Sequence, residues 1–283
     1  MQIFKQIMPL RYFLSQKRNE KLSIGLVPTM GALHDGHLSL IEACKKKCDI
    51  TVVSIFVNPT QFNNREDFEK YPVTMVADQA LLEKVGTDVL FCPAVEEMYH
   101  GNGYLSMQFG RLDTILEGKY RPGHFSGVGL IVSKFFNIVQ PDVAFFGQKD
   151  LQQVAVIKKL NNELAFGIDL QVVPTVRDTD GLALSSRNTR LNAEQRSLAP
   201  VLYKILSDVK ERLLASEPLE ETIRNATRKI EDHPDIALEY LEVVDSNELT
   251  LVKDLSEHEE ISICIAAYFG DIRLIDNLFL ISR

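Results

Sequence analysis

Val27-Pro28-Thr29-Met30-Gly31-Ala32-Leu33-His34-Asp35-Gly36-His37-Leu38 is the stretch that decides the fold. The apolar run leading into it, Ile24 to Val27, has the character of a short buried strand that breaks at Pro28. The chain then passes through Gly31 and two histidines around Gly36 and enters a pattern of helical period. Leu38, Ile41, Cys44 and Cys48 recur at three- or four-residue steps and are expected to share one helix face. A strand, a glycine-bearing turn and a helix N-terminus together make an anion site, where free backbone N–H groups and the positive end of the helix dipole converge. Two imidazoles at that point direct the expectation towards phosphate chemistry.

The same grammar repeats downstream. Ile50 to Val57 is a near-continuous run rich in β-branched residues, the mark of a strand buried on both faces of a parallel sheet. It stops at Asn58-Pro59-Thr60-Gln61-Phe62. Val73 to Val85 has helical spacing, Asp88 to Cys92 reads as a short strand, and residues 101–123 are turn-rich. His124 to Val139 is strongly helical and ends before Pro141. Asp142 to Phe146 is another buried strand, followed by Gly147-Gln148-Lys149-Asp150, with Asp150 as an N-cap for a helix that turns Val154, Ile157 and Leu160 inward. Leu170 to Val173 is the last strand of this half. The alternation predicts an α/β architecture: a doubly wound, mostly parallel, Rossmann-like sheet with right-handed crossovers. Such sheets bind ligands beyond the carboxyl ends of their strands, where strand order reverses. The loops at Met30, Asn58, Gly147 and Val176 belong to that edge.

Near Pro174–Arg177 the pattern changes. A polar, turn-like segment, Thr179 to Asn188, leads into two amphipathic helices, Ala193 to Leu214 and Leu219 to Asp232. Strands at Ala237 to Val244 and Ile261 to Phe269 follow, and then a final apolar stretch, Ile272 to Ile281. The expected organisation is a sheet domain over residues 1–175 and a smaller C-terminal α+β domain over residues 176–283.

Composition narrows the function classes. The 283 residues are 45% hydrophobic and 25% charged, with a formal net charge of -8. That balance suits an ordinary globular chain and argues against nucleic acid as the main partner, since phosphate backbones are met by basic surfaces. Four cysteines without metal-type spacing point to buried free thiols in a reducing compartment. Met1 to Ile7 has no signal-peptide character, and no apolar run approaches the roughly 20 residues that span a bilayer. A cytoplasmic protein that acts on small molecules, away from membranes, is expected.

His34 and His37 are the strongest candidates for chemistry. As donors at a helix N-terminus they would bind phosphate oxygens more tightly as charge builds in a transfer step. A capping imidazole, or metal ligands three residues apart, are the alternatives, and no carboxylate or thiol cluster nearby supports a metal. Lys149-Asp150 stands on the ligand edge, where a lysine neutralises polyphosphate. Ser185-Ser186-Arg187 has the character of a phosphate-binding turn, with an interdomain loop carrying a helix cap as the alternative. Gln61 and Gln153, two amides on the same edge, suit a hydroxy-acid. Arg121 and His124 either approach the site or structure a turn. The glycine spacing matches neither a dinucleotide fingerprint nor a Walker loop, and there is no nucleophile elbow.

Together these stretches resemble the pantothenate synthetase (pantoate–β-alanine ligase) family. The resemblance rests on Pro28 to His37, Val57 to Phe62, Leu116-Glu117-Gly118 with Arg121 to Phe125, Phe135 to Asp150, Asp180 to Ala183 with Ser185 to Asn188, and Arg273-Leu274-Ile275-Asp276-Asn277. It covers essentially the whole chain in order. Its departures are mild: Leu184 where methionine is common, Asp178 for glutamate, Gln148 for glutamate, and His100 for proline.

The resemblance implies ATP-dependent ligation of pantoate to β-alanine through a pantoyl adenylate, releasing AMP and diphosphate, in the cytoplasmic route to coenzyme A. It assigns Met30, Gly31, Ala32, Leu33, His34, Asp35, Gly36 and His37 to ATP. Gly147, Gln148, Lys149, Asp150, Val176, Leu184, Ser185, Ser186 and Arg187 go with the same nucleotide. Gln61 and Gln153, with Asn58 beside them, go to pantoate, and Gln61 also to β-alanine. His37 is the implied principal catalytic residue, supported by His34 and Lys149, with Mg²⁺ accompanying ATP through ligands the sequence does not name. A homodimer and a lid role for the smaller domain are implied as well. Two other functions compete: a nucleotidyltransferase of the His-x-Gly-His type acting on a phosphorylated acceptor, and a nucleotide-binding regulator without turnover.

Overall fold

The computed structural model describes residues 1–101 and 105–282. Six strands form a wholly parallel sheet: β1 (Gln2–Phe4), β2 (Ile24–Thr29), β3 (Ile50–Ile55), β4 (Val89–Phe91), β5 (Val143–Gly147) and β6 (Asp169–Val173). Their order is β1-β4-β3-β2-β5-β6. Helices α1 (Ile7–Asn19), α2 (Asp35–Lys47), α3 (Arg65–Glu69), α4 (Met75–Lys84), α5 (Val95–Met98), α6 (Leu116–Tyr120), α7 (His124–Val139) and α8 (Leu151–Glu163) fill the connections. The expected α/β, parallel-sheet architecture is the one observed. From β2 the order runs one way through β3 and β4, and the other way through β5 and β6. The reversal between β2 and β5 is the switch point at which such sheets take ligands. The histidine segment leaves the carboxyl end of β2 and the Gln148–Asp150 turn leaves that of β5.

Several local expectations are corrected. β2 does not break at Pro28 but continues through Thr29. The Thr29 carbonyl accepts from Phe56 N–H on the β3 side, so the alternate residue Pro28 faces β5. β5 pairs with β2 only at Gly25 and Leu26, so the N–H that proline lacks falls where the ladder has ended. The N-terminal strand β1 and helix α1 were not anticipated. Buried positions on α2 are Leu40, Ile41 and Cys44, whereas Leu38 is only half-buried and Cys48 lies past the helix end, its N–H donating to Cys44 O. All four cysteines are buried thiols outside any disulfide. At Gly25 a Cβ would lie 2.3 Å from Cys44 Sγ, so the glycine permits the close seating of α2 on β2.

Contacts divide the chain into two units, Met1–Gly147 with Gln152–Pro174, and Gln148–Leu151 with Thr175–Arg283. The second unit holds α9 (Ala193–Leu198), α10 (Val201–Leu214), α11 (Leu219–Glu231) and an antiparallel sheet β7-β8-β9 (Ile236–Asp245, Glu260–Phe269, Ile272–Ser282). The single helix expected over Ala193 to Leu214 is two, α9 and α10, with Ala199 and Pro200 between them. Leu202, Leu206, Val209 and Leu213 of α10 and Ala226 and Ile230 of α11 pack with Ile263, Ile265 and Leu274 of the sheet in one apolar core. Among the described residues no helix is long and apolar enough to cross a membrane.

Candidate active site

In the first unit the histidine segment is built by internal hydrogen bonds. Thr29 Oγ1 donates to Ser54 O at 2.7 Å and accepts Gly31 N–H at 3.2 Å. Gly31 and Ala32 both take left-handed backbone conformations, φ 83° and 49°, unusual for the alanine and a local strain at the site. That turn aims the Ala32 and Leu33 N–H groups at the two carboxylate oxygens of buried Asp78 on α4, at 3.0 and 2.9 Å. His34 caps α2 and its Nδ1 accepts Gly36 N–H at 3.2 Å. His37 Nδ1 accepts His34 N–H at 3.3 Å, and the rings lie 4.1 Å apart between centroids.

Free backbone N–H groups were expected at this turn and helix start; those of Gly31, Ala32, Leu33, His34 and Gly36 are instead engaged within the protein. A backbone N–H only donates, so both Nδ1 atoms are acceptors and each neutral ring carries its proton on Nε2. The fold thereby fixes the tautomer of both histidines as Nε2 donors.

The Asn58–Gln61 loop follows β3. Asn58 Nδ2 donates to Gln61 Oε1 and to Gly127 O, both at 3.1 Å, while its Oδ1 accepts from Tyr99 at 2.6 Å and Thr60 at 3.0 Å. The Gly127 carbonyl can only accept, which fixes the Asn58 amide and with it that of Gln61. Gln61 turns its NH₂ group away from Asn58, against Met30 Sδ at 2.9 Å. The loop backbone is held by His124, whose Nδ1 donates to Gln61 O at 2.8 Å and whose Nε2 then accepts from Arg121 at 3.1 Å. Arg121 is ion-paired with buried Glu117 at 3.7 Å. Both Arg121 and His124 thus belong to the network that braces the Gln61 loop. Gln153 is half-buried on α8, next to buried Gln152, which accepts Glu117 N–H and donates to Leu112 O and Ile115 O.

In the second unit, Gln148–Asp150 is a 3-10 turn that runs directly into α8. Lys149 Nζ lies 3.8 Å from Asp150. Val176 O accepts Leu184 N–H at 3.0 Å, closing a tight loop over Arg177 to Ala183. Arg177 braces that loop through Gly181 O, makes a bidentate pair with Asp276 at 2.5 and 2.9 Å, and stacks on Tyr203. Burial pushes the Asp276 carboxyl upward, and Arg177 opposes that push. At the loop's outer side Arg196 bridges Asp180 and Asp178. The Asp178 carboxyl is held below its ordinary range by Thr179 N–H and Arg196, and that of Asp180 by Arg196 first. Ser185 Oγ accepts Arg187 N–H at 3.3 Å, capping the 3-10 turn Ser186–Arg190.

Comparison with known proteins decides the family. A sequence profile of the family described as Pantoate-beta-alanine ligase matches residues 2–279. The chain belongs to that family. A pantothenate synthetase of Cytophaga hutchinsonii is 45% identical over 276 residues, 97% of this chain and 98% of the relative. One from Carboxydothermus hydrogenoformans is 45% identical over 285 residues, 99% of each. Among solved structures, the pantothenate synthetase of Thermus thermophilus superposes with a TM-score of 0.93 at 39% identity, covering 99% of this chain and all of that one. The pantoate-beta-alanine ligase of Francisella tularensis, complexed with beta-gamma ATP and beta-alanine, gives 0.82 at 36% identity over 99% and 98% of the two chains. Membership in the ligase family holds over residues 2–279.

Asp78, Tyr99, Arg177 and Asn277 were not singled out as site-building residues from the sequence.

Proposed function

We propose that this chain carries out its ATP-dependent ligation of pantoate to β-alanine through a pantoyl adenylate. A pantoate carboxylate oxygen attacks the α-phosphorus and diphosphate departs. The β-alanine amine then attacks the acyl carbon, AMP leaves on its phosphate oxygen, and the amine gives up a proton. His37 and His34 carry the first step as Nε2 donors to phosphate oxygens, gaining strength as negative charge accumulates. Lys149 supplies the fixed positive charge. The segments Met30 to His37, Gly147 to Asp150 and Leu184 to Arg187, with the backbone of Val176, hold the nucleotide.

Gln61, its NH₂ group fixed in direction by Asn58, donates to an oxygen of pantoate, and Gln153 is its second amide partner. Among the described residues no three His, Cys, Asp or Glu side chains are grouped to hold a metal ion. Mg²⁺ bound with the nucleotide would neutralise charge on its phosphates. We further propose a cytoplasmic homodimer.

The observation that carries this reading is the tautomer lock on His34 and His37. The test uses pantoate labelled with ¹⁸O in its carboxylate, with ATP and β-alanine. One label should appear in the AMP phosphate. AMP without label would rule out the adenylate, and dependence on a phosphorylated acceptor would favour plain nucleotidyl transfer.

A further inference from the structure

The closing motif Asp276-Asn277 lies on β9, which pairs with β8 on one side and forms the edge of its sheet on the other. The Asn277 amide faces the Gln148–Asp150 turn. Its Nδ2 donates to Gln148 O at 3.0 Å and to Lys149 O at 2.8 Å, and its Oδ1 accepts from Gln148 Nε2 at 3.4 Å. Both receiving groups are carbonyls, so the amide orientation is unambiguous. Asn277 is 3% exposed, and its own N–H donates to Asp276 Oδ1 at 2.8 Å. Asp276 in turn receives Arg177, whose Nη2 also donates to Asn277 O at 3.1 Å. Two consecutive residues of one strand thus fasten two separate pieces of chain, the backbone of Gln148-Lys149 and the segment that begins at Val176.

We infer that Asn277 is a positioning residue for the nucleotide, acting through Lys149 and not by touching the ligand. The inference rests on the assignment of Lys149 to ATP. Lysine is a point charge on a flexible stem, so its aim depends on where its backbone is held. A carbonyl pair gripped by one buried amide fixes that backbone. Among side chains of this length only an amide offers two donors to the carbonyls and an acceptor to Gln148. Asp276 completes the device by tying Arg177 to the same strand.

The test is Asn277→Asp, which keeps the shape and sets a carboxylate oxygen against two carbonyls, with Asn277→Ala as the second variant and Lys149→Ala in parallel. The full-length protein is assayed for KM of ATP, KM of pantoate, the rate of pantoate-dependent ATP–diphosphate exchange and thermal unfolding. Both Asn277 variants should raise the KM of ATP and slow exchange by about tenfold to a hundredfold, the scale of a misplaced catalytic group, with the KM of pantoate within about twofold. Lys149→Ala should shift the same two quantities.

Equal changes in both KM values, or no change while Lys149→Ala shows one, would overturn the positioning role. Loss of a cooperative melt in both Asn277 variants would make the residue a folding element and overturn it too. If Lys149→Ala leaves ATP kinetics and exchange untouched, the assignment of Lys149 itself fails, which is a separate result.

Discussion

Asn58 donates to Gln61 Oε1 at 3.1 Å while the lone pairs of its own Oδ1 are taken by the hydroxyls of Tyr99 and Thr60. With Gly127 O taking its other proton, Asn58 has no hydrogen-bonding capacity left over. Its work is to fix the direction of the Gln61 amide. Gln61→Ala should raise the KM of pantoate and leave that of ATP nearly unchanged.

Tyr99→Phe removes one support of this arrangement without opening a cavity. The net contribution of such a hydrogen bond is about 0.5–1.5 kcal/mol, which corresponds to roughly a two- to tenfold effect. That factor should appear as a higher KM for pantoate, with ATP kinetics and melting temperature close to the parent. An unchanged KM for pantoate would show that Thr60 alone suffices to hold Asn58.

His37→Ala should lower the adenylation rate by about 10²–10³, as loss of one donor to developing charge does elsewhere, with a much smaller change in the KM of ATP. The tautomer lock makes the test sharper. A glutamine amide reaches about as far as Nε2, an asparagine amide only about as far as Nδ1. His37→Gln should therefore retain more adenylation activity than His37→Asn. The reverse order, measured by ATP–diphosphate exchange, would mean that Nδ1 is the working atom.

The sheet and the histidine pair were legible because their signals are local. β2, β3 and β5 are continuous apolar runs between turn residues, and His34 and His37 are three residues apart at a helix start. The path of β2 past Pro28 depends on where β5 stops pairing, which no local pattern encodes. The same holds for the groups that aim the site. Asp78 reaches Leu33 across 45 residues and Asn277 reaches Lys149 across 128. Composition and periodicity carry no trace of such pairings. The expectation of free amides in the histidine segment failed in part for that reason: Ala32 and Leu33 meet Asp78 from another helix, while Gly31, His34 and Gly36 find acceptors within the segment.

Asp78→Ala would leave the Ala32 and Leu33 amides without their partner. Both donors are part-buried, so losing their acceptor costs at most about 3 kcal/mol, and this variant should melt lower. The strained turn at Gly31 and Ala32 would also lose what holds it, and the KM of ATP should rise. Wild-type ATP kinetics in Asp78→Ala would show that the turn holds without the carboxylate.

The thiols give a test of packing. Burial pushes the Cys44 thiol up to about 12, and also raises those of Cys48 and Cys92. The thiolate is the reactive form, so at pH 8 these groups are protonated as well as shielded. A disulfide reagent such as 5,5′-dithiobis(2-nitrobenzoate) should react slowly with the native protein and reach all four cysteines only after unfolding in guanidinium. Rapid reaction of Cys44 in the native state would contradict the close seating of α2 on β2.

Gly127→Ala separates helix propensity from packing. Alanine favours a helix interior by about 1 kcal/mol over glycine, so on α7 alone the change should stabilise. A Cβ at this position would meet Thr60 O at 2.3 Å and Gln61 Cα at 2.6 Å, both in the loop that carries Gln61. Backbone atoms cannot rotate away as a side chain does, so either α7 or the loop must shift, at the about 1–3 kcal/mol typical of overpacking. The net expectation is a modestly lower melting temperature and a clearly raised KM for pantoate, because the displaced element is the one that Asn58 and His124 hold in register. A more stable protein with unchanged pantoate kinetics would show that the loop yields freely, and that the bracing by Asn58 and His124 does not set the position of Gln61.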